Sequence, residues 1–388
     1  MNPLAAWNRF FFGPVSARPL AVFRIVYGVL LMIYLVLMTA EFDHWYTGAG
    51  LLQGSEAREA AGPLRFSPLQ YVQDPITPRL VLGATFAAAL GLTLGWRTRL
   101  MSIVLYLGLL SFYHRNVSSN GGPDAVPMIL SFYMMFCPSG AAYSLDARRQ
   151  ARKRGTLAEP LIVPWGQRLL QMQLCLIYFQ SCVIKCTGGT WMDGTAVHYV
   201  LFNREFNQFD LGWLGGYPLL VNLMTHGALL IEFSLAFWLW FRPTRRWAIL
   251  GGVLLHTGIR PVLTIPGFGA VMCATYLTFL DAEEVAALLR VLDPRGWLAR
   301  LGLRPVDLGF WRGPEHPLGI PAWQQLEFAF DPAEAHAGVE SLSRKGGEVE
   351  VVGWVKLPPP TCWEYHYNLF SCDDFRSRSP EGCRCLLS

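Results

Sequence analysis

The sequence predicts an all-α integral membrane bundle of about eight transmembrane helices with a small soluble C-terminal tail. The first observation behind this class is composition: 52% of the 388 residues are hydrophobic and only 15% are charged, whereas a soluble domain carries about 25% charge. The second is the distribution of charge. Residues 1–281 hold 34 of the 60 Asp, Glu, Lys and Arg residues, and the much shorter segment 282–388 holds the other 26. We therefore expect a transmembrane domain over 1–281 and a charged tail, rich in Pro and Gly, over 282–388.

Eight apolar stretches are the third observation, and they justify the helix count. A helix needs about 20 apolar residues to cross a bilayer, because no water is present there to satisfy backbone groups. The stretches occupy residues 19–40, 79–95, 99–113, 125–136, 167–186, 214–241, 247–263 and 265–280. The fourth stretch is short for a span, so the count is eight give or take one. In the second stretch Gly83, Ala87 and Gly91 recur every four positions, a spacing that favours close helix packing.

Counts of basic residues predict the orientation of these helices. With eight spans and the N-terminus inside, the inner segments of the membrane part hold 13 Lys and Arg residues and the outer segments hold six. Cytoplasmic loops carry the excess of Lys and Arg, so we expect both termini to be cytoplasmic. The polar connections 114–124 and 187–210 then lie together on the outer face. The Arg-heavy composition is typical of a bacterial protein, and we expect an inner-membrane location with the lipid bilayer as the first partner.

Composition also excludes several classes of function. A net charge of +4 on this length provides no basic surface for nucleic acid. Nine Cys residues are too few for a disulfide framework. His residues do not occur at metal-ligand spacing and no Cys-x-x-Cys is present, so no metal site is predicted.

Lys185, at the end of the fifth stretch, is the strongest candidate for a catalytic base. The chain has four Lys and 28 Arg residues, so a Lys at a membrane position indicates a need that Arg does not meet. Arg stays protonated, whereas a desolvated Lys amine can lose its proton near neutral pH. Gln171, Tyr178 and Lys185 are spaced seven apart, with Ser181 between them, which predicts one polar stripe along this helix. The structural alternative is a Lys that snorkels from the helix end to the outer headgroups.

The sixth and seventh helices carry further ionisable residues, which inside a span are functional candidates by default. His226 and Glu232 lie roughly along one face of the sixth helix, and His256 and Arg260 are four apart on the seventh, so both can face one cavity. Glu232, near the bilayer centre, needs a cation or a proton. Three residues could supply the cation: Arg24, Lys185 and Arg260. A structural ion pair that orients the helices explains Glu232 equally well.

The two outer connections contain Gly-rich turns close to these helices. Residues 116–124 include Asn, Gly and Pro, which favour a tight turn, and Asp124 could cap the helix that follows. Residues 188–194 let the backbone turn sharply just after Lys185, and Trp191 would be an anchor at the membrane interface.

Five sequence blocks, in this order, resemble the HTTM (horizontally transferred transmembrane) family, whose best-known member is the vitamin K-dependent gamma-carboxylase. The blocks are residues 18–28, residues 90–99, His114-Arg-Asn followed by 120–124, residues 178–185 with 191–196, and residues 226–234 leading to Leu255-His256. The resemblance covers about residues 15–281, and each block falls at the expected place in the order.

The resemblance implies a reaction and a set of cofactors. In the carboxylase a Lys amine deprotonates reduced vitamin K, oxygen adds, the resulting base removes a γ-proton from a glutamate, and carbon dioxide traps the carbanion. The matching Lys in this chain is Lys185, and His256 is the second catalytic candidate. The implied cofactor is phylloquinol or menaquinol, a lipidic quinone, with oxygen and carbon dioxide as co-substrates and no metal. The residues expected to hold the quinone are Tyr178, His226, Glu232 and Arg260.

The resemblance also implies an active site that opens to the extracytoplasmic side. Four residues are candidates for the substrate side of that opening: His114, Asn120, Asp124 and His198. The carboxylase continues into a large extracytoplasmic part, whereas here about 107 residues follow the last span and are expected inside. Epoxidation of a quinone without carboxylation, or a changed substrate, therefore fits the residues as well as carboxylation of a peptide or protein. A second branch of the family resembles proteins that mature or export a secreted peptide, which would need no quinone chemistry.

The tail begins with an amphipathic stretch at 282–292 and could be partly disordered beyond it. Residues 324–331 and 348–355 are expected to form short strands. The Cys residues near the C-terminus match no zinc pattern.

Overall fold

The computed structural model of the chain describes residues 2–51, 53–117, 120–154, 160–203, 208–260, 263 and 267–292, and the backbone of three strands between 336 and 387. Most of these residues are helical. The α-helices are α1 (Pro3–Phe12), α2 (Arg18–Met38), α3 (Phe42–Tyr46), α4 (Gly54–Ala61), α5 (Ile76–Leu94), α6 (Thr98–Arg115), α7 (Gly122–Met134), α8 (Leu145–Arg154), α9 (Trp165–Cys186), α10 (Gly189–Met192), α11 (Ala196–Phe202), α12 (Pro218–Trp238), α13 (Arg242–Ile259), α14 (Phe268–Thr275) and α15 (Ala282–Leu292). Short 3₁₀-helices lie at Thr39–Glu41, Pro68–Tyr71, Gly212–Gly216 and Tyr276–Phe279.

Each of the eight predicted apolar stretches falls on a helix, and four of the helical segments are long and apolar enough to cross a membrane. These four candidate spans are Arg18–Tyr46, Ile76–Leu94, Trp165–Cys186 and Pro218–Trp238. A mostly helical membrane protein is therefore confirmed, and the count of eight spans stays a prediction. The other stretches fall short for physical reasons. Helix α7 has only 13 residues, and α13 begins with three Arg residues in its first five positions.

Helix α2 lies at the centre of the apolar core. Leu20, Phe23, Tyr27 and Leu31 on this helix are fully buried, together with side chains from α5, α7, α9 and α14. Arg24 lies among them and is also fully buried. Its guanidinium donates hydrogen bonds to three backbone carbonyls of the segment 139–143, at 2.6–3.3 Å. Arg24 therefore ties α2 to the connection after α7, and it is not the partner of Glu232.

Close approaches between helices occur at one of the predicted Gly residues, Gly91, where an added Cβ would lie 2.7 Å from Sδ of Met101 on α6, and also at Gly residues outside the predicted stripe. A Cβ added at Gly28 of α2 would lie 2.2 Å from the Thr93 hydroxyl of α5, and one added at Gly108 of α6 would lie 2.0 Å from the Thr85 hydroxyl. A Cβ at Gly83 would meet nothing within 4 Å. The predicted stripe of small residues was therefore wrong as a packing face at Gly83, because the sequence period did not reveal which side of α5 faces its neighbours.

Four neighbouring elements in the second half of the bundle position the candidate site. Helix α9 packs against α12, α12 packs against α13, and α13 packs against α14, which with the 3₁₀-helix Tyr276–Phe279 returns to α9. The helices that carry the polar residues predicted on the fifth, sixth and seventh apolar stretches are thereby neighbours.

Strands β1 (Val15–Ser16) and β2 (Leu161–Ile162) form a short antiparallel pair. Strands β3 (His336–Lys345), β4 (Glu348–Lys356) and β5 (Cys383–Leu387) form an antiparallel sheet in the order β3-β4-β5. Strand β4 covers the stretch predicted at 348–355, and the strand predicted at 324–331 lies outside the described residues. Contacts divide the chain into two units, Met1–Leu308 and Gly309–Ser388. The division at residue 281 stays a prediction.

Candidate active site

Lys185 and Glu232 form an ion pair between α9 and α12. The ammonium of Lys185 donates a hydrogen bond to Oε1 of Glu232 and another, at 3.1 Å, to the hydroxyl of Ser181. The Glu232 side chain is only 8% exposed and that of Lys185 is 22% exposed. Of the three cations that the sequence offered to Glu232, the fold therefore brings Lys185 to it. Of the polar stripe predicted on α9, Ser181 contacts this pair, whereas Gln171 donates to the carbonyl of Thr278.

Trp191 covers the amine of Lys185 from the segment that follows α9. The centroid of its ring lies 5.0 Å from Nζ of Lys185, within the range of a cation–π interaction. Gly194 ends this segment with φ +80°, where only Gly fits easily. A Cβ at Gly194 would lie 2.4 Å from Asn222 Oδ1 and 2.9 Å from His226 Nε2. The backbone thus packs tightly on the N-terminal half of α12, which holds Trp191 over the site.

Asp193 stabilises the turn of the same segment. Its carboxylate accepts hydrogen bonds from the Thr195 hydroxyl at 2.5 Å and the Thr195 backbone N–H at 3.0 Å. These bonds, the side-chain bond first, lower the pKa of Asp193 below its usual value, and nearby His226 acts in the same direction. The turn beside Lys185 is therefore held by a carboxylate that stays ionised at neutral pH.

A buried chain of hydrogen bonds runs beside the ion pair. The hydroxyl of Tyr178 on α9 lies 2.7 Å from Nε2 of His256 on α13 and 2.5 Å from the hydroxyl of Tyr276. All three side chains are buried. Gly252 makes room for this arrangement, because a Cβ there would lie 2.3 Å from the Tyr276 hydroxyl.

Two polar atoms of this cluster are buried without a hydrogen-bond partner among the described residues. They are Oε2 of Glu232 and Nδ1 of His256. A buried polar atom without a partner costs about 1–3 kcal/mol, so native structures contain few of them. Such atoms in the same cluster as a buried ion pair are places where polar groups of a ligand would bind.

The ion pair and the hydrogen-bonded chain are also close enough to interact electrostatically. The charge of Lys185 acts on His256, and that of Glu232 acts on Tyr178 and Tyr276. Lys185, Glu232, Tyr178 and His256 were all singled out from the sequence, and the structure brings them together. Tyr276 was missed, although a phenol in an apolar stretch is a usable signal, because its hydroxyl usually finds a hydrogen-bond partner when buried.

His226 and Arg260 lie outside the buried cluster. Both side chains are exposed. His226 lies beside Gly194 in the N-terminal half of α12, and Arg260 follows the last turn of α13. Among the described residues, neither has a hydrogen bond or ion pair to Lys185 or Glu232.

The four residues predicted for the substrate side make local contacts. Nδ1 of His114 lies 2.9 Å from the carbonyl of Phe66, and the amide of Asn120 donates to the carbonyl of Tyr113. The ring of His198 lies next to that of Phe202, with centroids 4.7 Å apart and the planes tilted by 48°. In the parts of the chain that the structure describes, no hydrogen bond joins these three to the Lys185 cluster.

Asp124 is the third residue of α7 and not its N-cap, which is Gly121, but it supports the cap from inside the helix by accepting a hydrogen bond from the N–H of Gly121 at 2.9 Å. It also accepts one from the Tyr34 hydroxyl at 3.0 Å. With Tyr34, Tyr46 and Asn120 it lines a cavity of about 10 Å³, enough for about one water molecule.

No group of three or more His, Cys, Asp or Glu residues within the described parts of the chain could hold a metal ion. The residues of the cluster can also be compared with the groups of reduced vitamin K, whose two hydroxyl groups can donate and accept hydrogen bonds. An orphaned carboxylate oxygen, an orphaned imidazole nitrogen and an amine fit such a group chemically. Apolar side chains exposed next to the pair on α9 and α12, such as Ile184, Leu230 and Phe233, offer a surface for a lipidic tail.

Comparison with known proteins identifies the family. The sequence profile of the HTTM domain matches residues 12–283, well over half of the chain. Over 200 residues the chain is 23% identical to "Uncharacterized protein YitO" of Bacillus subtilis (strain 168). That alignment covers 49% of this chain and 63% of the length of the relative. No solved structure matches the chain. The resemblance drawn from the five sequence blocks is confirmed: the chain belongs to the HTTM domain family, which implies a relation to the vitamin K-dependent gamma-carboxylase.

Proposed function

We propose that this membrane protein is a vitamin K carboxylase-like enzyme that oxygenates a reduced quinone, with Lys185 as the base. The observation that carries the proposal is the buried ion pair of Lys185 and Glu232, with one oxygen of Glu232 left without a partner. Lys185 lies in the sequence block that matches the catalytic Lys of the carboxylase. The 22% exposure of its side chain leaves the amine accessible to a substrate.

The ion pair acts as one proton-carrying unit. The amine of Lys185 accepts a proton only after the proton that it already holds has moved to Glu232 or to solvent. In water the ion pair is much lower in energy than a neutral amine beside a neutral carboxylic acid. Away from water this energy difference is smaller, because both charges of the ion pair lose their hydration. The protons of such a coupled pair belong to both groups together. Glu232 would therefore make Lys185 usable as a base by taking up its proton, and the charge of the newly protonated Lys185 would then be balanced by the deprotonated hydroxyl of the substrate.

Phylloquinol or menaquinol, when bound, would supply the electrons with which oxygen is reduced. Oε2 of Glu232 and the amine of Lys185 would hold and deprotonate a hydroxyl, and Tyr178 would orient His256 beside them. Trp191 would exclude water above the amine. We expected His226 and Arg260 to bind the quinone. Among the described residues, no contact of either side chain with this cluster supports that role.

Coupling to carboxylation is the finer part of the proposal. In that case carbon dioxide would be fixed on a glutamate of a peptide or protein substrate, reached from the outer face beside the segment 188–194. We place the protein in a bacterial inner membrane with both termini in the cytoplasm, on the basis of the distribution of basic residues.

A non-catalytic role in the maturation or export of a secreted peptide is the second candidate. The observation in its favour is that Lys185 already has an acidic partner, a hydroxyl partner and a ring above it. A purely structural role, in which Lys185 joins α9 and α12, would be enough to explain these contacts.

The deciding experiment supplies the purified protein in detergent with menaquinol or reduced vitamin K, oxygen and bicarbonate, and measures quinone epoxide by mass spectrometry. We expect epoxide from the wild type and at least a 100-fold loss in Lys185→Ala, since general-base catalysis contributes about 10²–10⁴-fold. Lys185→Arg should also fail, because Arg keeps its proton. Lys153→Ala is the matched control, since this Lys is exposed on α8.

An active Lys185→Arg variant would contradict the base assignment. A folded wild type that forms no epoxide would favour the peptide-maturation role. If epoxide forms, ¹⁴C-bicarbonate with a glutamate-containing peptide tests whether carboxylation is coupled to it.

A further inference from the structure

Two thiols lie side by side in the last turn of α9. Cys182 and Cys186 are four positions apart, so they lie on one face of the helix. Their side chains are hydrogen-bonded to each other. Cys182 is buried, with its sulfur 4.0 Å from the carbonyl of Leu229 on α12, whereas Cys186 is exposed. The reaction proposed above uses neither thiol.

An exposed thiol beside a buried one can undergo two successive exchanges with a small disulfide, RSSR. The thiolate of Cys186 attacks one sulfur of RSSR, which forms a mixed disulfide and releases RS⁻. The thiolate of Cys182 then attacks the sulfur of Cys186 and releases the second RS⁻. The two thiol protons end on the two leaving groups, so RSSR is reduced by two electrons to 2 RSH and the protein gains one S–S bond. An excess of RSH reverses both steps.

The bond cannot close on a regular α-helix. The Cβ atoms of residues four apart on a helix are about 5–6 Å from each other, whereas a disulfide holds them about 3.5–4.5 Å apart. The backbone of the turn 182–186 must therefore move by about 1 Å or more when the bond forms. This turn is the end of α9, where few backbone hydrogen bonds oppose the change.

Lys185 lies in the turn that has to move. Its ammonium donates hydrogen bonds to Ser181, one turn earlier on the same helix, and to Glu232 on α12. The charges of Lys185 and Glu232 both act on Cys182, so the thiol pair and the ion pair are neighbours. Because Glu232 belongs to another helix, movement of the end of α9 changes the distance between the ammonium and its carboxylate.

We infer that Cys182 and Cys186 are a thiol–disulfide site that reacts with small disulfides, and that closing the disulfide draws Lys185 away from Glu232. The formation of the bond is independent of the proposed function, whereas its effect on catalysis rests on that function. With the predicted orientation, the end of α9 faces the extracytoplasmic side, where disulfides form and persist.

The first test detects the bond and needs no quinone. The detergent-purified full chain is equilibrated with oxidised or reduced glutathione, free thiols are blocked with N-ethylmaleimide, and the denatured protein is digested with trypsin. Cleavage after Lys185 separates the two thiols, so mass spectra of the oxidised protein should show peptide 169–185 linked to peptide 186–204. The linked peptides should be absent in reduced glutathione and in Cys182→Ala.

Cys175→Ala is the matched control, since Cys175 lies on the same helix but contacts the carbonyl of Leu235, at 3.8 Å. This variant should retain the linked peptides. A wild type without linked peptides in oxidised glutathione would overturn the inference, and so would a Cys186 held as a mixed disulfide with glutathione while Cys182 stays free. Both results are read from the wild type, so they stand even if a variant fails to fold.

The second test measures whether the disulfide releases Lys185. The chain has four Lys residues, so the rate of reductive methylation of each amine can be followed by mass spectrometry. Oxidation should raise the rate at Lys185 several-fold relative to the exposed Lys153, because an amine withdrawn from Glu232 is open to the reagent. Oxidation should leave this ratio unchanged in Cys186→Ala. An unchanged ratio in the fully oxidised wild type would overturn the coupling.

Epoxide formation separates this inference from the proposed function. In an active wild type, oxidation should lower the rate about 10²-fold, the loss that a misplacement of about 1 Å causes, and reduced glutathione should restore it. A disulfide that releases Lys185 in a protein that forms no epoxide in either state would refute the proposed oxygenase and keep the thiol site. Epoxide formation by a wild type without the linked peptides would do the reverse. Full activity of the disulfide form, with Lys185 released, would contradict Lys185 as the base.

Discussion

The pair formed by Lys185 and Glu232 illustrates what a charged residue costs inside an apolar bundle. Each charge alone would be strongly unfavourable there, and the two compensate each other only while both are present. Such a pair is weak support for stability as such, since hydrophobic replacements of both partners are often equally stable. The proposed chemical role gives the pair a use other than stability, because one oxygen of Glu232 has no partner among the described residues.

This reasoning predicts the outcome of a double-mutant cycle at the residue scale. Glu232→Leu alone should lower the free energy of unfolding by about 3 kcal/mol, because it leaves the ammonium of Lys185 without its partner. Adding Lys185→Met should recover most of that loss while epoxide formation stays absent. Reversible unfolding in detergent measures both values, and strictly additive single effects would contradict the pairing.

The positions of the helices depend on nearby sequence, whereas the faces by which they pack depend on distant residues. Apolar length is a property of a short stretch of sequence, so every predicted stretch lies on a helix. The face of α5 that contacts α2 and α6 depends on both neighbours, and the regular spacing that includes Gly83 did not reveal it. The close contacts at Gly28 and Gly108 involve the hydroxyls of Thr93 and Thr85, which are ordinary residues in the sequence.

A Gly-to-Ala comparison tests this packing at the scale of an element. Gly108→Ala should lower the free energy of unfolding by about 1–3 kcal/mol, because its Cβ would lie 2.0 Å from the Thr85 hydroxyl. Gly83→Ala, with open space around it, should be neutral or stabilising by up to about 1 kcal/mol, since Ala favours helix. Thermal unfolding of the two variants in the same detergent gives the comparison, and equal destabilisation would refute the assigned contact.

The segment after α9 has a pH dependence of known sign. Hydrogen bonds from Thr195 lower the pKa of Asp193, so their stabilisation is complete above the ordinary Asp pKa of about 3.9 and is lost as the pH falls through the lowered value. The ¹⁹F resonance of fluorotryptophan at Trp191, assigned with Trp191→Phe, should therefore stay constant from pH 7 to 5 and shift only below about pH 4. In Asp193→Asn this particular transition should be absent. A wild-type shift between pH 7 and 5 would show that another group controls the segment.

For the whole molecule, the number of spans decides which face the candidate residues occupy. Four helical segments satisfy length and apolarity on their own. With eight spans and the N-terminus inside, the connections after α6 and α9 are both outside. With the four long spans alone, the connection after α6 is inside and that after α9 stays outside.

Reporter fusions distinguish these topologies. Alkaline phosphatase, which is active only outside the cytoplasm, should be active after Asn116 and after Gly194 and inactive after Gln150. A fluorescent protein that folds in the cytoplasm should give the opposite pattern at the same sites. Phosphatase that is inactive after Asn116 and active after Gly194 would reduce the count toward four.

The sequence by itself determined the membrane class, the positions of the helices, the family and four of the five residues in the buried cluster. These follow from local properties, because a long apolar stretch must be helical in lipid and a polar residue within it is conspicuous. Only the tertiary structure decided that Glu232 pairs with Lys185 rather than Arg24 or Arg260, that Tyr276 joins Tyr178, and that His114, Asn120 and Asp124 bond to residues outside the Lys185 cluster. Lys185 and Glu232 are 47 positions apart and Tyr178 and Tyr276 are 98 apart. Contacts over such distances depend on how helices pack, and the period of a single helix carries no information about its neighbours.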